Sequence, residues 1–231
     1  MNLSVIIPAY NEEKRLNKTL KSLDGYLARQ NYGYEIIVVD DGSKDGTAAL
    51  LQAAIKEIPH LRSIGDRTNH GKGYAVRAGM LSATGDCRLF MDADGSTSID
   101  QIEKMLPYLA EGYDVVVSSR RIPGAVVKID QPWYRLLLGW IFRNAVELIV
   151  PLGIKDSQNG FKLFSNKAAT DIFLRQTVLG WAFDVEILYL ARKLGYKIKE
   201  VPIAWVNDDQ SRVTLKGMTG MLKDVLKIRF K

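Results

Sequence analysis

The chain has 231 residues, 47% of them apolar and 25% charged, which suits one well-buried domain and excludes a disordered or fibrous chain. Lys and Arg total 32 against 26 Asp and Glu, and the resulting net charge of +6 suits anionic partners: nucleotide diphosphates, lipid phosphates, an acidic membrane surface or nucleic acid. A single cysteine, Cys87, excludes an intrachain disulfide, and the two histidines, His60 and His70, match no zinc spacing.

Leu3 to Ile7 is an apolar run ending at Pro8 and reads as a strand. No basic leader region or cleavage pattern precedes it, so a cytoplasmic location is expected. Helical spacing follows at Leu16, Leu20, Leu23 and Leu27. Tyr34 to Val39 is a second strand, closed by Asp40-Asp41-Gly42-Ser43, and Ala48, Leu51, Ile55 and Ile58 mark the next helix. Leu61 to Ile64 reads as a strand, Gly71 to Ala83 as a helix, and Arg88 to Met91 as a strand closed by Asp92-Ala93-Asp94. A helix over Ile99 to Leu109 and a strand over Val115 to Ser118 complete the first half. Short apolar runs alternating with amphipathic helices predict an α/β fold, a mostly parallel sheet sandwiched by helices.

In the second half, Trp133 to Val150 is apolar on nearly every face, but Arg135, Arg143 and Glu147 interrupt it, so a spanning helix is not expected. Phe161 to Phe164 is strand-like, Val185 to Leu194 helical, and Ile198 to Val206 a strand broken at Pro202. From Leu215 to Lys231, apolar Met218, Met221, Leu222, Val225 and Leu226 alternate with Lys223, Lys227 and Arg229, predicting a basic amphipathic helix. No repeat or linker divides the chain, so 1–231 is read as one domain.

Polar residues gather just after the predicted strands, where open parallel sheets bind ligands. Asp92-Ala93-Asp94 sets two carboxylates where they can share a hard divalent cation, Mg2+ or Mn2+, that neutralises charge on a departing phosphate; the plain alternative is a solvated loop. At the second strand end, Asp40 or Asp41 can accept from a ribose hydroxyl or base N–H, while Ser43 can simply cap a helix. Pro8, Tyr10, Asn11 and Glu12 offer a ring for a base and polar groups for its edge. Arg120 and Arg121 follow the fifth strand and suit bidentate phosphate binding, the plain alternative being solvated surface side chains. Gly71-Lys72-Gly73 fits neither the Walker loop nor the dinucleotide fingerprint, which argues against an NTPase and a nicotinamide oxidoreductase.

Taken together, Ser4-Val5-Ile6-Ile7-Pro8-Ala9-Tyr10-Asn11-Glu12, Val38-Val39-Asp40-Asp41-Gly42-Ser43 and Asp92-Ala93-Asp94 resemble the inverting family 2 glycosyltransferases, which have the Rossmann-like GT-A fold. Asp156-Ser157-Gln158-Asn159-Gly160-Phe161-Lys162, Trp181-Ala182-Phe183-Asp184-Val185-Glu186 and Lys223-Asp224-Val225-Leu226-Lys227-Ile228-Arg229 resemble dolichyl-phosphate β-glucosyltransferases within that family, as does Gly71-Lys72-Gly73. The resemblance implies a nucleotide sugar, UDP-glucose favoured, as donor and a polyprenyl phosphate lipid as acceptor, with nucleic acid not a partner. It makes 1–120 the donor half and 121–231 the acceptor and membrane-facing half. Lys72 and Asp92 join Pro8, Tyr10, Asn11, Glu12, Asp40, Asp41, Gly42 and Ser43 in the donor-binding set, Asp92 and Asp94 make the metal set, and Arg120 and Arg121 the acceptor-phosphate set. Asp156, Arg120 and Asp94 are the catalytic candidates, with Asp156 the first choice for a catalytic carboxylate base, ahead of Asp184 and Glu186. GDP-mannose as donor, or a non-catalytic nucleotide-sugar-binding protein, are the alternatives. The expected location is peripheral, at the cytoplasmic face of a membrane. Trp133, Tyr134, Trp140 and Phe142, snorkelling Arg135 and Arg143, and the tail with Lys216, Lys223, Lys227, Arg229 and Lys231 would meet the membrane there.

Overall fold

The computed structural model describes residues 1–128, 133–206 and 215–230. The first half alternates as expected: β1 (Asn2–Ala9), α1 (Leu16–Leu27), β2 (Gly33–Asp41), α2 (Thr47–Glu57), β3 (Leu61–Asp66), α3 (Lys72–Ser82), β4 (Cys87–Met91) and, later, β5 (Val115–Ser119). Between β4 and β5 the single expected helix is two pieces, a 3-10 segment (Ile99–Lys104) and α4 (Leu106–Ala110). Pro107, at the start of α4, has no N–H to continue a helical ladder from the preceding turn. The chain continues through β6 (Val126–Lys128), α5 (Trp133–Ile149), β7 (Phe161–Ser165), α6 (Asn166–Arg175), α7 (Phe183–Lys193), β8 (Ile198–Pro202), β9 (Ala204–Val206) and α8 (Leu215–Arg229).

Seven strands form one sheet in the order β3-β2-β1-β4-β7-β5-β8. Most pairings are parallel, but β7 runs antiparallel between β4 and β5, with Phe90 opposite Lys162 and Val116 opposite Leu163. A β-strand presents alternate side chains to opposite faces, and here both faces are covered. Ile6, Ile37, Phe90, Val117 and Phe164 belong to one core with α3, α6 and α7. Their neighbours Val5, Ile7, Val38, Leu89 and Leu163 belong to a second core with α1 and α2. Double coverage is why the strands read as unbroken apolar runs. The break at Pro202 separates β8, an edge strand where a missing N–H is tolerated, from β9, which pairs with β6 in a small second sheet.

The sequence reading had not singled out α6 or β6. For α6 the cue was present: Ser165 caps it by accepting the Ala168 N–H, and Ala168, Ala169, Ile172 and Phe173 form its buried stripe. Two expectations for the apolar helices need correcting. Phe142 does not face outward but is buried with Val146 and Val150, and the tail turns Met221, Val225 and Ile228 into the core. Among the described residues, α5 and α8 each turn part of their apolar surface into the core. Among the described residues, Trp140 (57% exposed), Ile141 and Leu148 on α5, Leu226 on α8 and Phe230 just after it face outward. The side chains of Trp133, Tyr134, Arg135, Lys216 and Met218, and Lys231 altogether, lie outside the described residues. Among the described residues, no helix is long and apolar enough to cross a membrane.

Candidate active site

Strand direction decides what meets at the site. The carboxyl ends of β1, β2, β3, β4 and β5 share one edge of the sheet, and because β7 is antiparallel its amino end lies there too. That edge therefore gathers Tyr10, Asp40, Asp66, Asp92 and Arg120 together with the 156–160 segment, more than a hundred residues from the first of them.

At the β1–β2 end the loops are latched to each other. Asn11 sits at φ 55°, donates its N–H to Ser43 Oγ at 2.9 Å and accepts from the Lys44 N–H at 2.7 Å. The Glu12 N–H donates to the Thr47 hydroxyl, and the Glu12 carboxylate pairs with Arg15 at 2.7 Å. Gly42, at φ 72°, leaves no room for a Cβ against the Thr68–Asn69 backbone. Asp41 is buried and accepts the N–H groups of His70 and Gly71 at 2.9 and 2.8 Å, which fixes the start of α3. Asp40 engages only its Oδ1 with the Ser43 N–H at 3.0 Å and lies half-buried at the cleft.

The carboxylate pair follows β4. The Asp92 N–H donates to the Gly160 carbonyl at 3.0 Å, and a Cβ on Gly160 would fall 2.0 Å from Asp92 Oδ2. Asp92 Oδ1 faces Lys72 Nζ at 2.6 Å, yet no hydrogen-bond donor is aligned on that buried oxygen. Asp94 accepts the Ser96 N–H at 2.9 Å; burial and the adjacent Asp92 charge push its carboxyl above the ordinary range. Two half-buried carboxylates this close, one of whose charges disfavours ionisation of the other, fit a shared divalent cation. Among the described residues no group of three or more His, Cys, Asp and Glu side chains surrounds a metal position, so further ligands would be phosphate oxygens or water. Burial works against the Lys72 ammonium, but the Asp92 and Asp184 charges outweigh it and hold Lys72 above its usual value.

Beyond β5, Arg120 grips Asp156 with Nε and NH2 at 2.8 Å each, and its backbone N–H adds a third bond at 2.9 Å. Glu200 accepts the N–H of Asp156 at 2.9 Å, and the Trp205 ring lies 5.1 Å from the Arg120 guanidinium. Burial raises Asp156, but the Arg120 hydrogen bonds and charge prevail and hold it below the normal carboxylate range. A third arginine joins this end. Arg143 of α5, expected to snorkel toward lipid headgroups, is instead pushed down to about 10 by burial and by the charges of Arg121 and Arg120. Among the described residues neither Arg121 nor Arg143 makes an ion pair. Nothing in the sequence marked Arg143 for this end, since only the packing of α5 decides it.

One match decides the family. The description "Glycosyl transferase family 2" fits residues 4–173, from β1 through most of α6. The chain belongs to glycosyl transferase family 2. Similar proteins include dolichyl-phosphate β-glucosyltransferases from Trichomonas vaginalis (38% identity over 98% of this chain and 72% of that one), Dictyostelium discoideum (38%, over 99% and 74%) and Homo sapiens (35%, over 99% and 75%). In fold it resembles glucosyl-3-phosphoglycerate synthase from Mycobacterium tuberculosis, solved with Mn2+, UDP-glucose and phosphoglyceric acid (20% identity, TM-score 0.73, covering 99% of this chain and 78% of that one). Mannosyl-3-phosphoglycerate synthase from Rubrobacter xylanophilus is similar to the same degree (19%, TM-score 0.73, over 99% and 73%). The expected GT-A fold is thus present, and the protein is a glycosyltransferase.

This family 2 glycosyltransferase also buries a charge pair that the sequence reading overlooked. Lys162, fully buried in β7, donates to Asp184 in the first turn of α7 and to the Asn159 carbonyl at 2.5 Å. Burial pulls Lys162 down and Asp184 up. The signal was available, because a lysine inside Phe161-Lys162-Leu163-Phe164 must find a carboxylate if that strand is buried. Glu186, also fully buried, accepts the N–H groups of Thr177 and Val178. It thereby holds the 177–181 loop against α3, where Tyr74 donates its N–H to the Leu179 carbonyl. Neither acid is placed like a base facing a substrate.

Proposed function

We propose that this glycosyltransferase transfers glucose, with inversion, from UDP-glucose to a dolichyl-type polyprenyl phosphate at the cytoplasmic face of a membrane. The observation that carries the reading is the division of charge along one sheet edge: paired carboxylates Asp92 and Asp94 at one end, and Arg120, Arg121 and Arg143 at the other, with Arg120 close enough to feel the Asp92 charge. A cation site beside an anion site suits a donor diphosphate next to an acceptor phosphate. The relatives named for glucose transfer to dolichyl phosphate, and the neighbour solved with UDP-glucose and Mn2+, support the choice of substrates.

Asp40 and Tyr10 would receive the nucleoside, and Asp92 and Asp94 would hold Mg2+ or Mn2+, which would supply neutralising charge to the leaving diphosphate. A phosphate monoester acceptor is already largely ionised, with a second pKa near ~6, so its oxygen needs aim rather than deprotonation. Arg121 and Arg143 would provide that aim. Asp156, clamped by Arg120 and held ionised, would then serve as a positioning residue, keeping the Arg120 guanidinium against the Trp205 ring. Orientation of this kind can contribute several kcal/mol, on the order of ~7 in favourable cases. For the membrane, Trp140, Ile141, Leu148, Leu226 and Phe230 form the outward apolar residue of α5 and α8, interleaved with exposed Lys223, Lys227 and Arg229.

The test is sugar transfer from radiolabelled UDP-glucose and GDP-mannose to a polyprenyl phosphate with Mn2+ present. Product from UDP-glucose, and much less from GDP-mannose, is the expected result. Preference for GDP-mannose, or no lipid-linked product with either donor, would overturn the substrate assignment.

A further inference from the structure

Lys72 stands where it has little reason to be. It is the first residue of α3, so its ammonium lies at the positive end of a helix dipole and largely out of water. Its backbone cannot withdraw. Gly71 is tied to Asp41, and Gly71 and Gly73 pack so closely on the Val178–Leu179 backbone that a Cβ on either would lie 2.6 Å from a carbonyl oxygen. The side chain is likewise channelled, with Nζ 5.4 Å from the Phe90 ring centroid and 5.2 Å from that of Trp181. At the end of this channel the ammonium meets Asp92 Oδ1 at 2.6 Å, the buried oxygen on which no hydrogen bond is aligned.

We infer that Lys72 is a resident counter-cation for the metal-site carboxylate, displaced by the divalent ion and then carried onto the donor's diphosphate. This rests on the donor reading above and adds an order of events to it. One carboxylate oxygen cannot keep both a lysine ammonium and a hard divalent cation at contact distance, since the two positive charges repel. Metal alone, taking that oxygen, would therefore drive Lys72 back between the two rings, where the other nearby carboxylate, Asp184, is already paired with Lys162. Metal arriving with a nucleoside diphosphate brings the receiving anion along. Asp92 is thus kept neutralised in the empty enzyme, and the metal and donor sites become coupled. By reciprocity each ligand strengthens the other equally.

The experiment is titration of Mn2+ by electron paramagnetic resonance, with and without UDP, on wild type, Lys72→Met and Lys72→Arg, with circular dichroism to confirm folding. In wild type, UDP should tighten Mn2+ binding by about tenfold or more, a typical allosteric coupling. Lys72→Met, without the competing charge, should bind Mn2+ alone about tenfold more tightly than wild type and lose most of the enhancement by UDP. Lys72→Arg keeps the charge and should keep weak binding of Mn2+ alone. Lys72→Met binding Mn2+ alone no better than wild type, or Lys72→Arg behaving like Lys72→Met, would overturn the inference. Replacing UDP by GDP separates the two readings. If GDP promotes Mn2+ binding and UDP does not, the choice of uridine donor fails while the role of Lys72 stands or falls on Lys72→Met as before.

Discussion

Substituting Gly160 by alanine adds one methyl group and asks a sharp question of the site. Gly160 does not adopt a positive φ, so its backbone accepts an alanine without strain. The new carbon would, however, lie 2.0 Å from Asp92 Oδ2, 2.3 Å from Cγ and 2.6 Å from Oδ1. Non-bonded heavy atoms settle at about 3.5 Å, so the carboxylate must retreat by about 1 Å or more. Its partner across the strand pair is a side chain end rather than backbone, and Asp92 is one-third exposed, so it can swing toward the cleft. The cost to stability should stay within about 1 kcal/mol, because rigidifying the unfolded chain offsets part of the crowding. Metal geometry is less forgiving: ligand distances hold to about ±0.2 Å, and a shift of about 1 Å in a catalytic group costs about a hundredfold. Isothermal calorimetry of Mn2+ in saturating UDP should therefore show a loss of about a hundredfold in Gly160→Ala with an almost unchanged melting temperature. In an Asp92→Ala background the same substitution should do nothing more. Wild-type Mn2+ affinity in Gly160→Ala, or a full additional loss on top of Asp92→Ala, would refute the steric argument.

The buried pair gives a second expectation: Asp184→Ala, leaving Lys162 uncompensated, should lower unfolding free energy by about 3–5 kcal/mol, whereas Lys162→Met with Asp184→Leu should recover most of it in urea titrations. Asp156 has a depressed native pKa, so the stability it contributes is present above its unfolded value of about 3.9 and is lost as pH falls through the lower native value. Arg120→Gln removes the cause of that depression and should move the acid-unfolding midpoint to higher pH; an unchanged midpoint would mean Arg120 does not set the Asp156 pKa. Finally, Trp140→Ser with Phe230→Ser should reduce co-sedimentation with anionic liposomes by more than either alone, and binding should weaken with salt because each basic residue near such a surface contributes about 1 kcal/mol. Undiminished binding in the double variant would place the membrane contact elsewhere.

Much of this arrangement was legible in the residues, and the exceptions have physical causes. Apolar runs with polar strand ends located Asp40, Asp92 and Arg120 at one edge, because strand direction in a parallel sheet follows from alternation with helices. The antiparallel sense of β7 was not legible: Phe161 to Phe164 has the same apolar pattern in either direction, and only pairing reveals that its amino end carries Asp156 and Gly160 to the site. Arg120 and Asp156 were both picked out, but as separate actors, since a separation of 36 positions along the chain hides a bidentate pair. Gly160 could not be read as a close-approach position without Asp92 beside it. Phe142 and Arg143 are neighbours on one helix facing a core and a charge cluster, and an all-round apolar sequence contains no period to orient them.

The place of β7 has a consequence for how this chain can be divided. A cut after residue 120 would leave β5 in the first fragment with neither of its sheet partners, since β7 and β8 both lie in the second. The first fragment would retain only the four-stranded block β3-β2-β1-β4, ending in an unprotected β4 edge beside the Asp92 carboxylate. The two fragments could rebuild the enzyme only by interleaving, one strand of the second slipping between two of the first. During synthesis, likewise, the β3-β2-β1-β4 block can fold early, but the edge that holds Asp92 against Gly160 stays open until residue 165 has been made and β7 has threaded home.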